Sequence, residues 1–178
     1  MRRRNLLTLL AAAGLAGCAA APERPEYNDT DVMFLQMSLE HARQGEPVVA
    51  LAATRATDPA VRRTAADLRA RWRTEAATMR EWLTAWQRPV SPGPDPGAHA
   101  GHGDLHSVRA SDLAELRAAA GAAFDRTALS LLLGHLHNSV ATARMETSGG
   151  RYPPALNLAA DLTRTRQAQI RRLLALAG

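Results

Sequence analysis

His41 and His135 stand 94 residues apart, and the same spacing relates much more of the chain. Asp31 recurs as Asp125, Leu35 and Leu39 as Leu129 and Leu133, and Pro59 as Pro153. The tetrapeptide AADL at 65–68 returns unchanged at 159–162. Several coincidences in one frame indicate a duplication, each copy reading as a helix with one histidine, a turn and a second helix. Neither helical pair can bury its apolar face alone. The two hairpins must pack together, which carries the histidines to equivalent places in one bundle. Two imidazoles brought together in that way make a place for a metal.

The residues around them indicate which metal. Met37 precedes His41 by four residues, so thioether and imidazole share a helix face, and Met33 continues the stripe one turn earlier. Soft ligands of this kind select copper(I) over harder ions. The competing reading is that Met33 and Met37 pack the core while His41 bonds locally. In the second copy the position matching Met37 is Leu131. His137 lies about 200° around the helix from His135, so the two cannot chelate one ion from an ideal helix. Met145 follows two turns beyond His137. His99, His102 and His106 form a short histidine-rich tract, either a weak metal binder or a solvated loop. No Glu-x-x-His, HExxH or GxSxG motif is present, and the acidic residues show no inward-facing pair. The expectation is a non-enzyme.

The elements that position these residues read as all-α. Helix one runs from about Asp31 to Thr54, with Leu35, Leu39, Ala42, Val49 and Ala50 inward. Asp58 caps and Pro59 opens helix two, whose Val61, Ala65, Leu68, Trp72, Ala76, Met79, Leu83 and Trp86 recur at helical steps. Residues 89–103 hold four prolines and four glycines and form a linker. Ser111 caps a short helix to Ala120, and Gly121 interrupts it. Helix three runs from near Phe124 to about Thr147, and Gly149 and Gly150 end it. Pro153 and Pro154 open helix four, with Leu156, Ala160, Leu162, Ile170 and Leu173 inward. No segment alternates with period two, so no sheet is expected.

The first residues are a leader. Arg2, Arg3 and Arg4 precede a short apolar stretch, Leu6 to Leu15, which is too short to span a bilayer and reads as a signal peptide. Leu15-Ala16-Gly17-Cys18 resembles a bacterial lipobox, and Arg3-Arg4-Asn5-Leu6-Leu7 resembles a twin-arginine signal. Cys18 is the only cysteine, so no intrachain disulfide is possible. The expected organisation is a leader over 1–17, a lipidated Cys18 with tether over 18–30, and one bundle over 31–177. That bundle divides into a hairpin at 31–88, a linker at 89–110 and a hairpin at 111–177. Membrane lipid is thus a partner through Cys18. Removing the three leader arginines from the 22 basic residues leaves 19 against 17 acidic, a net +2. With no basic block and few aromatics, nucleic acid is not a partner. The arginines are expected on solvated helix faces.

Two segments, FLQMSLEHARQG (34–45) and DRTALSLLLGHLHNS (125–139), resemble the paired Phe-Leu-x-Met-Met-Ile-x-His-His motifs of the bacterial DUF305 family. TEAATMREWL (74–83), AAAGAAFD (118–125) and LAADLTRTRQAQI (158–170) extend the resemblance over about 31–175. It implies a ferritin-like four-helix bundle of two pseudo-repeated hairpins plus a short extra helix. It also implies copper as a cofactor, since some members bind it through His and Met. His41 and His135 match the first histidine of each motif, while Ala42 and Leu136 stand in the second place. The implied ligands are Met37, His41, His135 and His137, with Met33, Met145, His99, His102 and His106 in weaker roles. The alternative is a ligand-depleted bundle serving as an envelope structural or interaction module. Replacing Cys18 by serine is expected to release the chain from membranes or stall its processing. A mature, membrane-bound Cys18→Ser protein in cell fractionation would refute the lipoprotein reading.

Overall fold

A computed structural model describes residues 26–91 and 108–177. Cys18 and the linker histidines His99, His102 and His106 lie outside the described residues, as does the leader. The described residues form five helices and no strand: α1 (Asp29–Arg55), α2 (Pro59–Ala85), α3 (Ala110–Ala118), α4 (Gly121–Gly149) and α5 (Pro153–Ala177). Helices α1 and α2 pair as one antiparallel hairpin and α4 and α5 as the other, and α1 packs along α4. Helices α2 and α5 scarcely touch, leaving an open cleft of about 970 Å³ between them. None of the described helices is long and apolar enough to cross a membrane.

Local chemistry sets the helix ends. Asn28 caps α1 in a capping box, its side chain accepting from the Asp31 N–H while Asp31 accepts from the Asn28 N–H. The Asp58 carboxylate accepts from Ala60 N–H, and Pro59 occupies the first helical position of α2, where a missing N–H costs nothing. The short helix α3 begins one residue before Ser111. Its cap is Arg109, whose backbone N–H donates to Asp112 at 2.8 Å, so the carboxylate takes the role assigned to the serine hydroxyl. Gly121 opens α4 rather than interrupting a helix, with a φ of 56° that only glycine adopts without strain. Helix α1 continues through Pro47 despite the lost backbone bond, because the residues on both sides of it are held in the core.

The duplicated aspartates tie the hairpins together. Asp125, at the start of α4, accepts from the backbone N–H groups of Thr57 and Asp58, both at 2.8 Å. Asp31, at the start of α1, accepts from those of Arg151 at 3.0 Å and Tyr152 at 2.9 Å. Residues 151 and 152 are the repeat equivalents of 57 and 58. Each carboxylate therefore closes the turn of the other hairpin.

Two apolar clusters fill the interior. One gathers Val48, Ala52, Leu68, Trp72, Phe124, Leu132 and Ile170, and the other gathers Phe34, Leu35, Met79, Leu83, Ala155 and Leu162. On α5 the buried face is Ala155, Ala159, Leu162, Arg166, Ile170 and Leu173, while Ala160 is exposed. The sequence phase thus slips by one residue, because consecutive alanines carry no periodic signal of their own. On α1, Val48 and Ala52 are fully buried where Ala42 and Ala50 are only partly so.

Asp125→Ala removes two hydrogen bonds to a charged acceptor and strands two backbone donors. It is expected to cost about 3 kcal/mol, measured as a lowered urea midpoint with unchanged slope. A stability equal to wild type would show that the turns hold without the clamp.

Candidate metal centre

A polar layer separates the two apolar clusters at mid-height of the bundle. Helix α1 contributes His41, α4 contributes His135 and Thr142, α2 contributes Glu75 beside Trp72, and α5 contributes Arg166. His41 and His135 are 3% and 2% exposed. Their rings meet edge to face with centroids 5.5 Å apart. The repeat therefore brings together the two histidines that it relates. His135 also packs on Trp72 at 4.9 Å. A Cβ at Gly45 would stand 2.6 Å from His135 Nε2 and 2.6 Å from Trp72 Cζ3, so α1 must be glycine at this point to admit the ring.

Thr142 Oγ1 donates to the Asn138 carbonyl at 3.2 Å and lies 3.4 Å from His41 Nε2, a contact whose direction depends on the tautomer of the ring. His41 Nδ1 is buried without a hydrogen-bond partner, while the contact at the opposite nitrogen orients the ring.

Burial drives His41 down to about 4, against a small upward pull from the Glu40 carboxylate. Burial drives His135 down to about 3, helped by the positive charges available to His41 and Arg166. Both imidazoles are therefore neutral near pH 7, as ligation requires.

The remaining sequence candidates divide. Met37 is buried on α1 and Met33 partly so. Met145 is partly buried against the apolar cluster around Phe34, away from the histidine layer. His137 is exposed on the outer face of α4 and takes no part in the pair. A two-residue step on a helix turns it away from its neighbour.

The structure adds residues that the sequence reading placed elsewhere. A cavity of about 20 Å³, the size of one water or ion, is lined by His135, Glu75, Met79, Arg166, Ser38 and Ser139 among others. Glu75 and Met79 are four apart on one face of α2, a spacing visible in TEAATM but masked by the surrounding solvated positions. Arg166 is 4% exposed, against the expectation that arginines lie on solvated faces. It donates to Glu75 through Nη2 and to Gln169 through Nη1. Burial raises Glu75 and lowers Arg166, and in both cases it outweighs the attraction of the partner.

An inward acidic pair also exists, contrary to the sequence reading. Asp31 and Glu146 are both fully buried at the end of the bundle where α4 turns into α5. Burial, then the bond to Asp31 and its negative charge, raise Glu146 to about 8. Burial pushes Asp31 upward too, but the neighbouring Glu146 carboxyl and hydrogen bonds from the backbone at Asn28, Tyr152 and Arg151 prevail and leave it lowered. Glu146 is thus a carboxylic acid at neutral pH, set against the lowered Asp31.

Metal chemistry follows from the donor set. No group of three or more His, Cys, Asp and Glu that could hold an ion occurs among the described residues. The described residues therefore do not assemble a tetrahedral zinc site, which takes four such ligands. Two neutral imidazoles, with the buried thioether of Met37 one turn before His41, instead fit copper(I), a soft ion content with few ligands.

The profile of the family described as domain of unknown function DUF305 matches residues 31–177. Among solved structures, a DUF305 protein of Streptomyces coelicolor, predicted to be secreted, superposes with a TM-score of 0.74 at 20% identity, covering 83% of this chain and 91% of that one. A DUF305 fragment from Deinococcus radiodurans gives 0.74 at 23% identity, covering 86% and 99%. CopM in its Cu(II)-bound form gives 0.68 at 24% identity, covering 83% and 95%. No curated protein matches significantly.

Opposite pH slopes follow from the buried groups. The histidines, lowered by folding, favour the folded state above about 6.5 and withdraw that contribution as pH falls toward the values near 4 and 3. Glu146, raised by folding, contributes fully below its ordinary 4.5 and loses that contribution as pH rises through about 8. Stability of the metal-free chain should therefore peak at roughly pH 6–7. Glu146→Gln should flatten the alkaline side in urea titrations run at several pH values. An unchanged alkaline slope in that variant would contradict a protonated Glu146.

Proposed function

Because the chain belongs to the DUF305 family through residues 31–177, we propose that it is an exported, non-enzymatic copper-handling bundle, anchored through Cys18 to the outer side of a bacterial membrane. The observation that carries this reading is the His41–His135 pair: buried, neutral and edge to face, with His41 Nδ1 lacking a hydrogen-bond partner. The Cu(II)-bound state of CopM, which has the same fold, supports copper as the ion. The lipobox-like Leu15-Ala16-Gly17-Cys18 and the predicted secretion of the Streptomyces relative support an extracytoplasmic place. His41 and His135 would hold the ion. Met37, buried one turn before His41, is the nearest thioether in sequence, and His99, His102 and His106 would serve at most as a secondary, more weakly ordered set.

A second reading rests on the packing of His135 between Trp72 and Gly45. On that reading the pair is a structural plug in a bundle that serves as an interaction module of the envelope.

The deciding experiment is copper(I) titration of the full chain in detergent, in competition with the chelator bicinchoninate. Copper reading and wild type together require a defined stoichiometry, preference over zinc, and loss of binding in His41→Ala/His135→Ala with helicity retained. Binding should persist well below the ordinary histidine range near ~6.5, because the buried imidazoles stay neutral to about 4. Wild type binding no more copper than a histidine-free variant would leave the structural reading.

A further inference from the structure

Arg166 is the least expected member of the polar layer. By the 94-residue repeat it is the equivalent of Trp72, so one copy places an indole beside the histidine layer and the other a guanidinium. Glu75 and Gln169, which it contacts, are also repeat equivalents. Its guanidinium carbon stands 5.9 Å from the centroid of Trp72. As a structural ion pair the arrangement is poor. An arginine fork can give a carboxylate two parallel bonds, yet Glu75 receives one. Glu75 Oε1 and Arg166 Nε are both buried without a partner. Both residues line the one-ion cavity, along with His135 and Met79. An imidazole, a thioether and a carboxylate thus border a space of ionic size, and a fixed positive charge stands against it.

Building on the copper reading, we propose that the Arg166 guanidinium is an internal counter-cation that occupies the Glu75 corner of this cavity, so that a copper(I) ion bound at His135 must displace it. Two positive charges a few ångströms apart in a water-poor interior repel strongly. The ion and the guanidinium therefore compete for one carboxylate. Glu75 also borders the open cleft between α2 and α5, which is lined by Asp67 and by Asp161, the latter paired with Arg164, as well as by Arg71, Arg171 and Arg172. In the empty state Arg166 keeps Glu75 compensated. In the loaded state Glu75 would pass from guanidinium to metal, and Arg166 would swing into the cleft. Affinity is thereby held down, as suits a protein that must release its ion.

The test compares copper(I) affinities of the full chain in detergent, by bicinchoninate competition, with circular dichroism as the check on folding. Arg166→Gln is expected to bind about tenfold tighter or more than wild type. Arg166→Lys, which keeps the charge but not the fork, should fall between the two, and it decides the matter if the glutamine variant does not fold. Adding Glu75→Gln to Arg166→Gln should abolish the gain. No gain in any folded variant, with wild type still binding through His41 and His135, overturns the counter-cation and leaves the copper reading intact. Absence of binding in wild type and variants alike overturns both, whereas binding that appears only in Arg166→Gln supports the displacement.

Discussion

The bundle depends on two carboxylates that each serve the opposite hairpin. A helical hairpin leaves the backbone donors of its turn and of its second helix's first residues without partners inside the helices. Here Asp125 satisfies them for the turn before α2, and Asp31 does so for the turn before α5. Because the acceptor belongs to the other copy, neither turn is complete until the hairpins dock. Helix α1 is thereby fixed in register against α4, and the register brings His41 opposite His135. A carboxylate slipped by one turn would miss its donors and separate the histidines together.

Between the two apolar clusters lies a layer that hydrophobic packing alone would not select. Desolvation moves both imidazoles, Glu75 and Arg166 away from their charged forms. Apolar replacements of similar volume would commonly match or exceed the stability of such a buried ion pair. The layer is accordingly best understood as chemistry held in place by the clusters above and below it. Gly45 shows the same bias, since α1 gives up a side chain in mid-helix so that His135 and Trp72 fit.

Three departures from repeat symmetry place charge in the interior. Trp72 answers to Arg166, Glu75 to Gln169, and Ala52 to Glu146. The scaffold positions, by contrast, are kept: Asp31 and Asp125, the paired leucines, and the prolines that open α2 and α5. A duplicated frame has therefore been retained for architecture, while one side received the buried ion pair and one end received a buried carboxyl pair.

Much of this was legible in the chain. The 94-residue offset, the helical periodicity of α2 and the punctuation by Asp58-Pro59 and Pro153 determined an all-α bundle of paired hairpins, because local propensity and binary pattern agree there. They also determined that His41 and His135 would be equivalent. The sequence could not determine which polar side chains lie inside. Arg166 and Glu146 have the types of solvated residues, and only the docking of α5 and α4 onto their neighbours buries them. The alanine-rich stretch of α5 offered two phases, and contact with α4 selected Ala159 over Ala160. His137 and His135 read alike as imidazoles until the helix rotation set one in the core and the other in water. The raised Glu146, brought near Asp31 from 115 positions away in the chain, needs the closed bundle, since a carboxyl is driven toward its neutral form only where water has been excluded by tertiary packing.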